Sequence, residues 1–160
     1  MTQQVNWNYV PDSVAAENEA STEEHIFFKE IEKVTQAHTN STESPEKWGP
    51  GFMTTYWCDV FNTDEELIGT SIGTMIILYR RPSDGHLIEY CSEQIQLKDG
   101  SFAAAGFIDR NDVLSQNWIS YPVEGTGGRY KGMTGNRKYR INKLADQYPL
   151  IAEIELHRDK

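Results

Sequence analysis

Cysteine is scarce in this 160-residue sequence: Cys58 and Cys91 stand far apart with no Cys-x-x-Cys spacing, which excludes a disulfide framework. The start of the chain lacks the basic residues and apolar run of a secretory signal, and no apolar run approaches the roughly 20 residues that span a bilayer. A reducing, cytoplasmic setting with no membrane partner is the expectation. His25, His38, His86 and His157 share no ligand spacing, so no metal site is expected. The glycine-rich stretch GTGGRYKGMTG, Gly125 to Gly135, lacks the Gly-Lys-Ser/Thr ending of a phosphate loop. No serine or cysteine can be paired with a histidine and an acid as a nucleophile. Positive charge is short as well. Net charge is -9, and residues 1–50 hold nine acids against Lys29, Lys33 and Lys47. The basic cluster from Arg129 to Lys143 is broken by glycines and tyrosines, which argues against a nucleic-acid partner.

What is present divides the chain in three. Residues 1–20 are polar and without apolar period, and read as a flexible segment. Residues 21–50 read as a helix and a linker. Ser21 and Glu24 have capping-box spacing, and Phe27, Phe28, Ile31 and Val34 gather on one side of a helix from about Thr22 to Ala37, placed to cover the next domain as a lid. Thr39 to Pro50 is the linker. Residues 51–160 change to period two and form the third part, a β-barrel domain. Strands are expected near 52–61, 67–80, 86–97, 101–110, 116–123, 128–132, 136–142 and 150–157, with Asp99-Gly100 the strongest hairpin signal. So many short strands predict an all-β fold, an eight-stranded antiparallel barrel in which no edge is left exposed.

The alternation shows which side chains face inward. One face of 67–79 carries Gly69, Ser71, Gly73, Met75, Ile77 and Tyr79, and the matching face of 101–110 carries Phe102, Ala104, Gly106, Ile108 and Arg110. Repeated small residues open room, and a barrel of about eight strands holds one small ligand. Arg137, Tyr139 and Ile141 alternate with the solvent-facing Lys138, Arg140 and Asn142. An inward guanidinium needs a partner or a ligand, and Glu93, on a face with Glu89, Cys91 and Ile95, is the partner expected. Tyr56, Tyr79, Tyr121 and Tyr139 can reach the same interior, each with an apolar ring and a hydroxyl donor.

From Tyr56 to Ile141 the sequence resembles the spirotetronate-forming cyclases, natural Diels–Alderases of the allene oxide cyclase-like barrels. The resemblance rests on Ile68-Gly69-Thr70-Ser71, Arg81-Pro82-Ser83-Asp84-Gly85, Asp109 with Asn111-Asp112-Val113, Trp118 with Tyr121-Pro122, and Gly125, Gly128-Arg129-Tyr130, Gly132, Thr134-Gly135 and Arg137. It implies a homodimeric barrel, without a cofactor, that folds one linear polyketide so that its diene meets an exocyclic alkene on a tetronate or tetramate ring. An intramolecular four-plus-two cycloaddition then forms a spiro-fused cyclohexene. On this reading Arg137 or Tyr121 donates a hydrogen bond to the ring carbonyl. Tyr56, Met75, Tyr79, Cys91, Glu93, Phe102, Arg110, Tyr139 and Ile141 bind the substrate. Cys91, Tyr139 and Arg110 stand where the family pattern has tyrosine, tryptophan and phenylalanine, which implies a different substrate from that of familiar members. Two alternatives remain: a lipocalin-like carrier without catalysis, and an epoxide or allene oxide type cyclase in which Glu93 is the working carboxylate.

Overall fold

The computed structural model describes residues 24–142 and 149–159. Its strands are β1 (His25–Thr39), β2 (Met53–Phe61), β3 (Leu67–Arg80), β4 (Leu87–Leu97), β5 (Gly100–Asp109), β6 (Ile119–Gly128), β7 (Thr134–Ile141) and β8 (Leu150–His157), with a one-turn helix, α1 (Arg110–Leu114), after β5. They follow one another around a closed antiparallel barrel, and β1 pairs with both β2 and β8. Every strand therefore has two neighbours, so the barrel has no unpaired edge. Among the described residues no helix is long and apolar enough to cross a membrane.

The expected helix over Thr22 to Ala37 is not formed where the chain is described; that segment is the first barrel strand. Its true period is two, with Ile26, Glu30 and Glu32 buried and Phe28 partly so. Two inward glutamates disguise an inside face as a polar one, so the remaining apolar residues fit a helix instead. Phe27, Phe28 and Ile31 consequently form no lid. Phe27 lies on the outer wall, half exposed, while Phe28 packs inside against Phe102 and Tyr130. Ser21 lies outside the described residues. The expected strand at 128–132 is likewise a turn.

 Gly128, at φ 55°, and Gly132, at φ 75°, both take the left-handed conformation that turns the chain from β6 into β7. Tyr130, between them, points back into the barrel and is buried.

The interior has three levels. At the end where β1 begins and β8 finishes, Phe28, Phe102 and Tyr130 meet with ring centroids 5.6–5.9 Å apart, and Val60, Leu97, Met133 and Leu156 fill the space around them. A layer of charged and hydroxyl side chains crosses the middle. The opposite end, beneath the β1–β2 connection and α1, is hollow. Gly73 and Gly106 serve the middle layer: a Cβ at Gly73 would overlap the Tyr56 ring, and one at Gly106 would stand 2.6 Å from Tyr121 Cβ. The room these two glycines leave is thus taken by tyrosines of the protein itself.

Candidate active site

The hollow end is a cavity of about 390 Å³, lined mostly by apolar atoms. Val34, Met75, Cys91, Ile141 and Leu150 supply much of that lining, with Tyr56 and Tyr139 turned in from the wall. The volume falls in the range of sites that enclose a small ligand.

Its floor is organised by Arg137, which is wholly buried. Arg137 Nη1 donates to Glu93 Oε2 and to the Tyr121 hydroxyl, each at 2.7 Å. Nη2 donates to Glu32 Oε1 at 2.9 Å, and both Nη2 and Nε reach Glu30 Oε1 at 3.4 Å. Glu93 in turn accepts from the Tyr56 hydroxyl at 2.6 Å and from Tyr121 at 2.5 Å. Burial pushes Glu30 and Glu32 above the ordinary carboxylate range, with Arg137 pulling the other way. Their second oxygens have no hydrogen-bond partner, which fits carboxyls that carry protons better than three full anions around one cation. Burial opposes the charge on Arg137, but Glu93, Tyr121, Glu32 and Glu30 outweigh it and hold that charge firmly.

A second buried pair stands at the mouth. Arg110 Nη1 donates to Glu89 Oε2 at 3.0 Å and Nη2 to the Pro45 carbonyl at 3.0 Å, while the guanidinium lies 4.8 Å from the Trp48 ring. Trp48 stacks on Phe52 at 3.8 Å. The connection between β1 and β2 is thereby fastened over the cavity, and Pro45 and Trp48 become part of its lining. Asp109, the N-cap of α1, is tied to Arg81 at 2.7 Å and His86 at 2.9 Å, so the helix that delivers Arg110 is itself anchored.

Of the residues singled out from the sequence, Tyr56, Met75, Cys91, Glu93, Arg110, Tyr139 and Ile141 line the cavity. Tyr121 lies behind them, its ring 5.4 Å from that of Tyr139. Arg137 does not reach the cavity; its donors are committed to Glu30, Glu32, Glu93 and Tyr121. Phe102 is inside the barrel but belongs to the packed end. Tyr79 is not inside at all. The register between β3 and β4 slips between Ile77 and Tyr79, so the bulge turns Tyr79 outward and leaves it half exposed. Glu30, Glu32 and Trp48 are the participants that sequence reasoning missed. A tryptophan in an otherwise polar linker was the one available signal for the last.

The hydroxyl of Tyr139 differs from those of Tyr56 and Tyr121 in having no hydrogen-bond partner among the described residues. Burial raises its pKa well above the ordinary value, so it is a neutral donor facing an apolar space. Cys91 is also pushed upward by burial, as is Cys58, which makes both thiols poor nucleophiles.

Comparison with known proteins gives a consistent set. The model of the allene oxide cyclase barrel like domain matches residues 32–154. The crystal structure of AbnU, described as an exo-specific intermolecular Diels-Alderase, is 29% identical over 84% of this chain and 99% of its own, with a TM-score of 0.74. The Diels-Alderase AbmU from Streptomyces koyangensis is 31% identical at the same TM-score of 0.74, over 84% of this chain and 64% of its own. A third structure, of a nonspecific heme-binding cyclase that catalyses a four-plus-two cycloaddition during neoabyssomicin biosynthesis, is 31% identical with a TM-score of 0.74, over 84% of this chain and 65% of its own.

Proposed function

Because the chain belongs to the allene oxide cyclase barrel like family, we propose that it is a cyclase that catalyses a four-plus-two (Diels–Alder) cycloaddition in the biosynthesis of a natural product. The supporting likeness is to the Diels-Alderases AbnU and AbmU. The substrate in this reading is a linear polyketide with a conjugated diene and an exocyclic alkene on a tetronate or tetramate ring, and the product is a spiro-fused cyclohexene.

One observation carries the reading: an apolar cavity of about 390 Å³ whose polar floor is locked by its own hydrogen bonds, while the Tyr139 hydroxyl on its wall is unattached among the described residues. A cycloaddition moves electrons within the substrate and transfers no proton, so it asks for shape and for a hydrogen bond to the activated alkene. Holding diene and alkene about 3–3.5 Å apart can contribute several kcal/mol to the barrier reduction. Tyr139 is placed to donate to the carbonyl conjugated with the alkene, lowering the energy of its acceptor orbital. Arg137 acts through Glu93 as a positioning residue, fixing the rings of Tyr56 and Tyr121. A single tethered chain also makes better use of one small cavity than two separate reactants, which favours the intramolecular reaction.

The test is to incubate the purified protein with a linear tetronate bearing an exocyclic methylene and a diene tail, following diene absorbance, product mass and chirality. Faster loss of diene to one stereoisomer of unchanged mass is expected. Tyr139→Phe should lower kcat about tenfold with little change in KM, as removal of a transition-state hydrogen bond would. Tight binding with the buffer rate and buffer product mixture would instead show a carrier.

A further inference from the structure

Two clusters of metal-ligating side chains lie outside the cavity. Asp84, His86 and Asp109 form one, but it already holds a cation, because Arg81 donates to both aspartates. The other, His25, Glu155 and His157, lies on the outer wall at the packed end of the barrel. Here the acid has no lysine or arginine partner among the described residues.

Strand register brings these three together. His25 stands directly opposite His157 in the β1–β8 pair, and Glu155, two residues before His157, faces the same way. Both imidazoles turn Nε2 toward one oxygen, Glu155 Oε1, at 3.1 Å from His25 and 3.8 Å from His157. Their rings stack with centroids 4.8 Å apart and 23° between planes. Nitrogen and oxygen ligands of a tetrahedral zinc ion stand about 2.0–2.1 Å from it, and therefore about 3.3–3.4 Å from one another. The two separations from Glu155 fall on either side of that value, and the three ligand atoms all lie within 4.8 Å of one another. All three side chains are about half exposed, so small rotations can close the remaining gap and water can complete the coordination. Two imidazoles and one carboxylate suit zinc, whereas magnesium and calcium ask for a shell of oxygens.

We propose that His25, Glu155 and His157 form a zinc site that clamps the first barrel strand to the last. The ring of strands closes at this pair. β1 and β8 come from opposite ends of the described chain, so their pairing closes the largest loop in the fold, the costliest in chain entropy. An ion that binds only the closed barrel stabilises it by mass action. The histidine spacing along the chain hides this cluster, since its members meet only across the seam. The site lies on the outer wall and is independent of the cyclase reading.

Tag-free, full-length protein is freed of metal with a chelator and titrated with zinc chloride by calorimetry. One ion per chain should bind with a dissociation constant of about 10 μM or below. Zinc at about 100 times that constant should raise the melting temperature by about 5 °C or more. His157→Ala and Glu155→Gln should each weaken binding at least about tenfold and remove most of the thermal shift. His38→Ala, at an exposed histidine outside the cluster, should change neither. No binding by about 100 μM zinc overturns the proposal. So does binding that survives His157→Ala, or equal affinity for magnesium, either of which would mark only the acidity of the surface. Binding without a rise in melting temperature overturns the clamp.

Discussion

Replacing Arg137 by methionine removes the one cation from the middle layer while roughly keeping its volume. The structure then leaves Glu93, Glu30 and Glu32 facing one another with no guanidinium between them. Glu30 and Glu32 can keep or take up protons, but Glu93 loses its partner at 2.7 Å. Breaking one side of a buried pair costs about 3–5 kcal/mol. At about 2–4 °C per kcal/mol for a domain of this size, the melting temperature should fall by roughly 6–20 °C. Urea unfolding followed by tryptophan fluorescence measures the loss, and the double variant Arg137→Met/Glu93→Gln should recover part of it because no uncompensated charge remains. A loss below about 1 kcal/mol, or a double variant no better than the single one, would refute the reasoning that one ion-pair layer holds the barrel together.

Stability should fall as pH rises above about 4.5, the ordinary value of Glu30, Glu32 and Glu89, because burial raises all three in the folded state, which then binds more protons than the unfolded chain. Asp84, held down at about 2 by Arg81, acts in the opposite sense, losing its contribution as pH falls from 3.8 toward 2. Urea midpoints should therefore peak in mild acid, and Glu32→Gln should flatten the alkaline decline. Gly73→Ala should destabilise the protein by about 1–3 kcal/mol and weaken ligand binding, since its methyl group displaces the Tyr56 ring from Glu93; calorimetric scans with and without ligand measure both.

The barrel and much of the cavity wall were legible because inward and outward residues alternate cleanly in β4, β5 and β7. That alternation correctly brought Glu93 to Arg137, across strands that are not neighbours. The first strand was illegible for a reason of chemistry: Glu30 and Glu32 are inside only because Arg137 is there, and no local pattern announces a partner more than a hundred residues away. Tyr79 was misplaced by a single extra residue, since a bulge reverses every later side chain and leaves no mark in a run as uniformly apolar as Met75 to Leu78. The turn at 128–132 was mistaken for a strand because Tyr130 is flanked by residues that alternate as a strand would.

The middle layer draws its members from β1, β2, β4, β6 and β7, so it ties the wall together like spokes in a wheel. Such a barrel has a fixed girth at its waist. Among the described residues the rim is fastened chiefly through Arg110 and the Asp109 cluster that anchors its helix, which do not cross the barrel. Guests that differ in width must therefore be accommodated at the rim, while the waist sets how deep any of them can go. The protein is built as a depth gauge, and changing the reach of its substrates means moving the spokes rather than reshaping the rim.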